Sequence, residues 1–255
     1  METKNLITIL KITIYISLII QALTAVFNIA ILGLDMYSTS SFQDDVDILI
    51  DLVWLGLIVQ VIEGTFYVWL VTFMNSISNI TKFRYYDWFF STPTMLIVLI
   101  VYLIYLKEKE ELDKEMQKRK DNKLKKVTWK EGKTYKDLFT YVSENKEIVS
   151  VILILNMLML LFGYLGEIGV LSIPFSVSLG FIPFVGYFYL IYEYFAKFTE
   201  MGKGLFWLFS GIWSLYGVSA LMPYYEKNIS YNILDVVSKN FFELFLGFKL
   251  LFLYL

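Results

Sequence analysis

Six ionisable side chains lie inside long apolar stretches of this 255-residue chain: Lys11, Glu63, Asp87, Asp235, Lys239 and Glu243. Arg84 sits at the edge of one such stretch, and Lys249 is near enough to the end of another for its stem to reach outward. Charges within apolar segments are costly and are normally kept for function. The chain has no His and no Cys. Disulfides, thiol nucleophiles, His-based triads and Cys/His zinc sites are therefore excluded, no metal site is expected, and proton chemistry falls to Asp, Glu, Lys and Tyr. Asp235 and Lys239 are four residues apart and share a helix face; so do Arg84 and Asp87, with Ser91 one turn further on. Placed opposite each other, these two faces form a buried cluster of one Lys, one Arg and two Asp, formally neutral as a buried site must nearly be. The alternative is an ion pair that only stabilises helix packing.

Elements long enough to position these groups follow from the hydropathy. The chain is 57% hydrophobic and 18% charged, whereas a soluble domain is about half apolar and a quarter charged. A membrane span needs roughly 20 mainly apolar residues. Seven segments qualify, at about 6–32, 48–73, 83–106, 148–165, 170–195, 205–222 and 233–253. The expectation is a single all-α domain, a seven-transmembrane helix bundle in a lipid bilayer. The first apolar run is read as a span, not a signal peptide, because it continues past Ala30 with no small-residue cleavage site. Residues 107–146 hold 13 of the 22 Lys and Arg. This segment is read as a solvated cytoplasmic loop that extends the third helix into water and then folds back, with a lipid-headgroup or partner site as the alternative. Lys and Arg near span ends stay in the cytoplasm, which puts the N-terminus outside. The acidic loop with Asp35, Asp44, Asp45 and Asp47 fits this less well, but acidic residues count little in that rule.

A polar stripe runs along the first helix. Ser17, Gln21, Thr24 and Asn28 are spaced by four, three and four. The second helix offers Gln60 and Glu63, and the seventh Ser238, Asn240 and Glu243. Facing one another, and with Ser91 from the third helix, these groups would line a wet path for cations. The competing reading is hydrogen-bond glue between helices, and for Glu243 a snorkelling or interface position.

RYYDWFFSTP (84–93), WSLYG (213–217) and DVVSK (235–239) together resemble signatures of the microbial rhodopsins, in the third, sixth and seventh helices respectively. IEGTFYVWL, RYYDWFFSTPTML and NMLMLLFGYLGE further resemble rhodopsins of giant algal viruses, a group that includes light-gated cation channels and weak pumps. The long 107–146 segment departs from their compact pattern. The resemblance implies all-trans retinal held as an imine on Lys239. It makes Asp87 the primary counterion and first proton acceptor, Asp235 the second counterion, and Arg84 the organiser of the outer side. Trp88, Thr92, Pro93, Trp213 and Tyr216 become pocket walls, where packing alone would otherwise explain the aromatics. Gly217 and Ala220 stand where the family usually has Pro and a second Trp, which implies a looser pocket; the fifth helix offers Phe175, Phe181 and Phe184 but no Trp.

Val98 occupies the place of the usual carboxylic proton donor of outward pumps, and Glu243 is the substitute the sequence offers. The leading expectation is a light-gated cation channel. An outward proton pump or a sensory receptor with a protein partner are the alternatives. No enzymatic activity and no nucleic-acid partner are expected; protons or monovalent cations are the transported species, and the resemblance implies a homo-oligomer.

Overall fold

The computed structural model describes residues 3–35, 43–121 and 136–254. The described residues are helical, with no strand among them. The helices are α1 (Thr3–Asp35), α2 (Gln43–Phe73), α3 (Thr81–Asp121), α4 (Leu138–Glu144), α5 (Lys146–Glu167), α6 (Ile173–Ile191), α7 (Glu200–Ala220), α8 (Tyr224–Asp235) and α9 (Phe241–Tyr254). A π-helical turn, Tyr192–Ala196, continues α6, and another, Val236–Asn240, joins α8 to α9. Counting α6 with its π turn, and α8 to α9 as one rod, gives seven long rods and the short α4.

The rods close into a ring. α1 packs on α2, α2 on α3, α3 on α5, α5 on α6, α6 on α7, α7 on α8, and α8 with α9 returns to α1. Apolar side chains cover the outside, and the interior combines an apolar core with buried polar groups. On α1, Leu23 is 64% exposed while Gln21, two residues earlier, is 2% exposed. A water-soluble bundle has the reverse pattern; the outward apolar face suits lipid. Four helices (α1, α3, α5 and α6 with its π turn) are long and apolar enough to cross a membrane by length and composition alone.

Local chemistry sets the helix ends. Thr199 caps α7, its hydroxyl accepting from Gly202 N at 2.9 Å, and Asp137 caps α4, accepting from Thr140 N at 2.7 Å. The turn between α5 and α6 contains Gly169 at φ 80°, a left-handed conformation that glycine adopts without steric cost. Pro93 sits inside α3, where it removes one backbone donor. Thr92 and Thr94 hydroxyls donate to the carbonyls of Trp88 and Phe90 on either side of the break, at 2.8 and 2.9 Å.

The seventh rod starts at Tyr224, well before the expected 233. Its first turns, YYEKNISYN, are too polar to register as a span, yet Asn228 and Asn232 are fully buried. α3 has 41 residues, about 60 Å of helix, twice the roughly 30 Å apolar core of a bilayer. Its charged end therefore stands clear of the bundle as a helical extension. α4 then returns onto α2 and α3: Tyr141 is buried and donates to Glu108 at 2.6 Å. Burial and the Glu108 carboxylate both push the Tyr141 phenol up. Residues 36–42, in the acidic loop, and 122–135, which include most of the expected fold-back, lie outside the described residues.

Candidate functional site

At mid-depth three carboxylates converge on one amine. Lys239 Nζ donates to Asp87 Oδ2 at 3.1 Å and lies 3.2 Å from Glu63 Oε1 and 3.5 Å from Asp235 Oδ1. Arg84 Nη1 pairs with Asp235 Oδ2 at 3.2 Å. All five side chains are 4% exposed or less. Lys239 stands within the π turn, and π turns are rare and concentrate at functional positions. The expected cluster of Lys239, Arg84, Asp87 and Asp235 is brought together.

Glu63, expected in the ion path, is in addition a third carboxylate at the amine. Two cations and three carboxylates leave one negative charge in excess. A buried cluster does not hold such an excess cheaply.

Several partners escaped sequence reading. Tyr67 donates to Asp235 Oδ2 at 2.8 Å, and Tyr216 to Asp235 Oδ1 at 2.9 Å while contacting Ser238 Oγ at 2.9 Å. Asn228 Oδ1 accepts from Arg84 Nε at 3.1 Å, and Asn232 Oδ1 accepts from Arg84 Nη2. Tyr67 lies one turn from Glu63 on α2, a signal that spacing could have supplied. Asn228 and Asn232 sit seven and three residues before Asp235 on its face, but in a stretch too polar to be read as a span.

A cavity of about 110 Å³, walled mainly by apolar side chains, adjoins the amine. Trp88, Thr92, Trp213, Tyr216 and Lys239 line it, as expected; Pro93 does not and is the exception among the expected walls. Asn156 of α5 fixes the Thr92 wall, donating to its Oγ1 at 2.8 Å. Phe181 and Phe184 also line it, whereas Phe175 is 54% exposed on the outside. The looseness implied by Gly217 is taken up: a Cβ there would come within 2.6 Å of the Phe181 ring.

Beside Lys239 and onward toward the α3 extension lies a further set of buried polar groups. Gln21, Asn28, Gln60, Asn240 and Glu243 are each 3% exposed or less, and none of their side-chain polar atoms has a hydrogen-bond partner among the described residues. Buried polar atoms are rarely left unsatisfied, so these groups are suited to holding water. Ser91 is likewise buried, with its hydroxyl unpaired.

A family profile described as Bacteriorhodopsin-like protein matches residues 14–251. The chain belongs to that family. It is an integral multi-pass membrane protein that binds retinal through a Schiff base to a lysine. Its fold is similar to that of the viral rhodopsin OLPVRII, with a TM-score of 0.70 and 22% identity over 96% of this chain and 99% of that one. It is also similar to a blue light-absorbing proteorhodopsin from Med12, with a TM-score of 0.66 and 15% identity over 95% and 96% of the two chains. A third relative in fold is xanthorhodopsin, described as a light-driven ion pump with dual chromophore, with a TM-score of 0.64 and 14% identity over 96% and 93%. No curated protein sequence matches the chain. The cavity fits the cofactor: it is walled by indoles and other largely apolar groups, and its lining includes a lysine amine with carboxylates beside it.

At the Arg84 end of the bundle, Lys227 pairs with Glu167 at 2.7 Å, tying α8 to the end of α5; both side chains are nearly buried, at 9% and 6%. Lys227→Met is expected to leave Glu167 as an uncompensated charge and to cost about 3 kcal/mol, read as a lowered thermal midpoint of the pigment. An unchanged midpoint would show that water already solvates the pair.

Proposed function

We propose that this chain is a light-gated cation channel with retinal on Lys239. Two lysines, Lys227 and Lys239, are buried among the described residues, and Lys239 alone of the two lines the cavity. The retinal supplies a light-driven change of geometry at the Lys239 nitrogen. Asp87, Asp235 and Glu63 keep that nitrogen protonated at rest, because an anion beside a cation stabilises its charged form. Asp87, the hydrogen-bonded neighbour, accepts the proton when the nitrogen turns. Arg84 holds Asp235 in place and closes the outer side with Asn228 and Asn232.

The observation that carries the channel reading is the run of unpartnered buried polar groups on α1, α2 and the α8–α9 rod. Gln21, Gln60, Asn240, Glu243 and Asn28 continue the charged cluster toward the α3 extension. Oxygen and amide dipoles in a wet seam substitute for a cation's hydration shell. Val98, fully buried, places no acid in this half of α3. The α3 extension is assigned to the cytoplasm and the N-terminus to the outside, from the Lys and Arg it carries.

Photocurrent–voltage curves in retinal-fed cells under two cation gradients test the reading. A channel current reverses where the cation gradient dictates. A current of one sign across the voltage range would establish the second reading, an outward proton pump, which the 3.1 Å Lys239–Asp87 contact favours. Glu63→Gln is expected to reduce the photocurrent without bleaching the pigment, since Asp87 and Asp235 remain at the amine. Bleaching would mean that Glu63 is indispensable to the charged nitrogen.

A further inference from the structure

Glu243 occupies an unusual seat. It is 0% exposed, neither carboxyl oxygen has a hydrogen-bond partner among the described residues, and the charged cluster does not include it. Its carboxyl group rests in the notch left by the missing side chain of Gly56 on α2, where any Cβ would overlap it. Lys239 is four residues and Asn240 three residues earlier on the same rod, and Gln60 is one turn from Gly56 on α2. One turn beyond Glu243, Gly247 opens a second notch, where a Cβ would come within 2.5 Å of Asn28 Oδ1. Two missing side chains thus seat two polar groups in line, from Lys239 toward the α3 extension. Fixed in this way, an unpaired carboxylate would be a buried, uncompensated charge; a neutral acid is the stable form.

We propose that Glu243, seated against Gly56, is the acid that returns a proton to the Lys239 nitrogen from the α3-extension side. The proposal rests on retinal being carried by Lys239. Light first moves the proton of the Lys239 nitrogen to the Asp87 carboxylate. The Glu243 O–H bond then breaks and its proton passes, through water held by the amides of Gln60 and Asn240, to the neutral Lys239 nitrogen. Glu243 is left as a carboxylate and recovers a proton from the aqueous side past Asn28. The position is on the seventh rod, not on α3, where Val98 offers no acid. The titratable groups on the elements packed around Glu243 are Asp51 and Glu63 on α2, Tyr102 on α3 (which faces Phe242 and Phe245), and Lys239 and the exposed Lys249 on its own rod; the buried polar groups in this part of α1, Thr24 and Asn28, are neutral.

Two readouts test this on the full chain. In retinal-free protein, infrared spectra of Glu243→Gln are expected to lose one carboxylic C=O band, which Glu243→Asp restores at a shifted position. In retinal-loaded protein, recovery of visible absorbance after a flash is expected to be nearly independent of bulk pH. In Glu243→Gln it should slow and fall about tenfold for each unit of rising pH, because bulk protons then set the rate. Gly56→Ala keeps the acid but displaces it from the notch, so it should slow recovery and move the C=O band, and it serves if the Gln variant does not assemble. Recovery in Glu243→Gln with unchanged rate and pH profile, or a C=O band untouched by that change, overturns the proposal. A wild-type chain that never forms a pigment strikes the Lys239 assignment instead, and the infrared band then decides the state of Glu243 by itself.

Discussion

Lys239→Ala is expected to abolish all visible absorbance when the protein is made with all-trans retinal. The amine is the covalent anchor in the proposed site and lines the cavity, 2% exposed and flanked by three carboxylates. Lys227, the other buried lysine, cannot replace it, because it is held by Glu167 at the end of the bundle. Removing the amine also leaves three acids facing one arginine, so some loss of stability should accompany the loss of colour. Adding a free alkylamine to the variant separates the two effects: a folded protein with an empty anchor position can regain colour, an unfolded one cannot. A coloured, light-active Lys239→Ala protein would end the assignment, and a folded variant without colour supports it.

Much of the site was legible from spacing, because a helix converts sequence intervals of three and four directly into shared faces. Arg84 with Asp87, and Asp235 with Lys239, came from that rule alone, and the polar stripe from Ser17 to Asn28 is the same rule applied to α1. Spacing does not say how deep one helix sits against another. That is why the contact of Glu63 with the amine was not foreseen: its distance to Lys239 depends on the axial offset of α2 against the seventh rod, which no local pattern encodes. The start of the seventh rod was missed for a related reason. Hydropathy assumes that polar residues avoid the interior, but Asn228 and Asn232 are buried because Arg84 needs acceptors there. The notch at Gly56 was invisible in sequence, since a glycine in an apolar helix gives no sign of what fills the space beside it. The lining of the cavity was readable only through the resemblance, which implied Trp88, Thr92, Trp213 and Tyr216, since aromatics on a helix otherwise read as packing; Phe181 packing onto Gly217 required two helices to be seen together.

Asp87→Asn is expected to shift the visible band to the red and to slow light-driven loss of the Lys239 proton by about 10²–10⁴-fold, the usual contribution of a positioned general base. The red shift follows from charge placement. At rest the positive charge is concentrated at the nitrogen, 3.1 Å from Asp87 Oδ2, and excitation moves it away along the chain of double bonds. An anion beside the nitrogen therefore stabilises the ground state more than the excited state, and neutralising it narrows the gap. Asp235 and Glu63 remain within 3.5 Å, so the nitrogen should stay protonated and the pigment should form. The sign of the pH effect follows from the same contact. In the wild type, acid that neutralises Asp87 should produce this red shift; in Asp87→Asn that transition should be missing between about pH 4 and pH 9. Absorption spectra across that range, with flash kinetics on the same samples, are sufficient. If the variant keeps the wild-type band and the wild-type acid transition, Asp87 is not the counterion. Glu63, the other carboxylate within 3.2 Å of the amine, then becomes the acceptor, and Glu63→Gln should show the red shift and the slow proton loss instead.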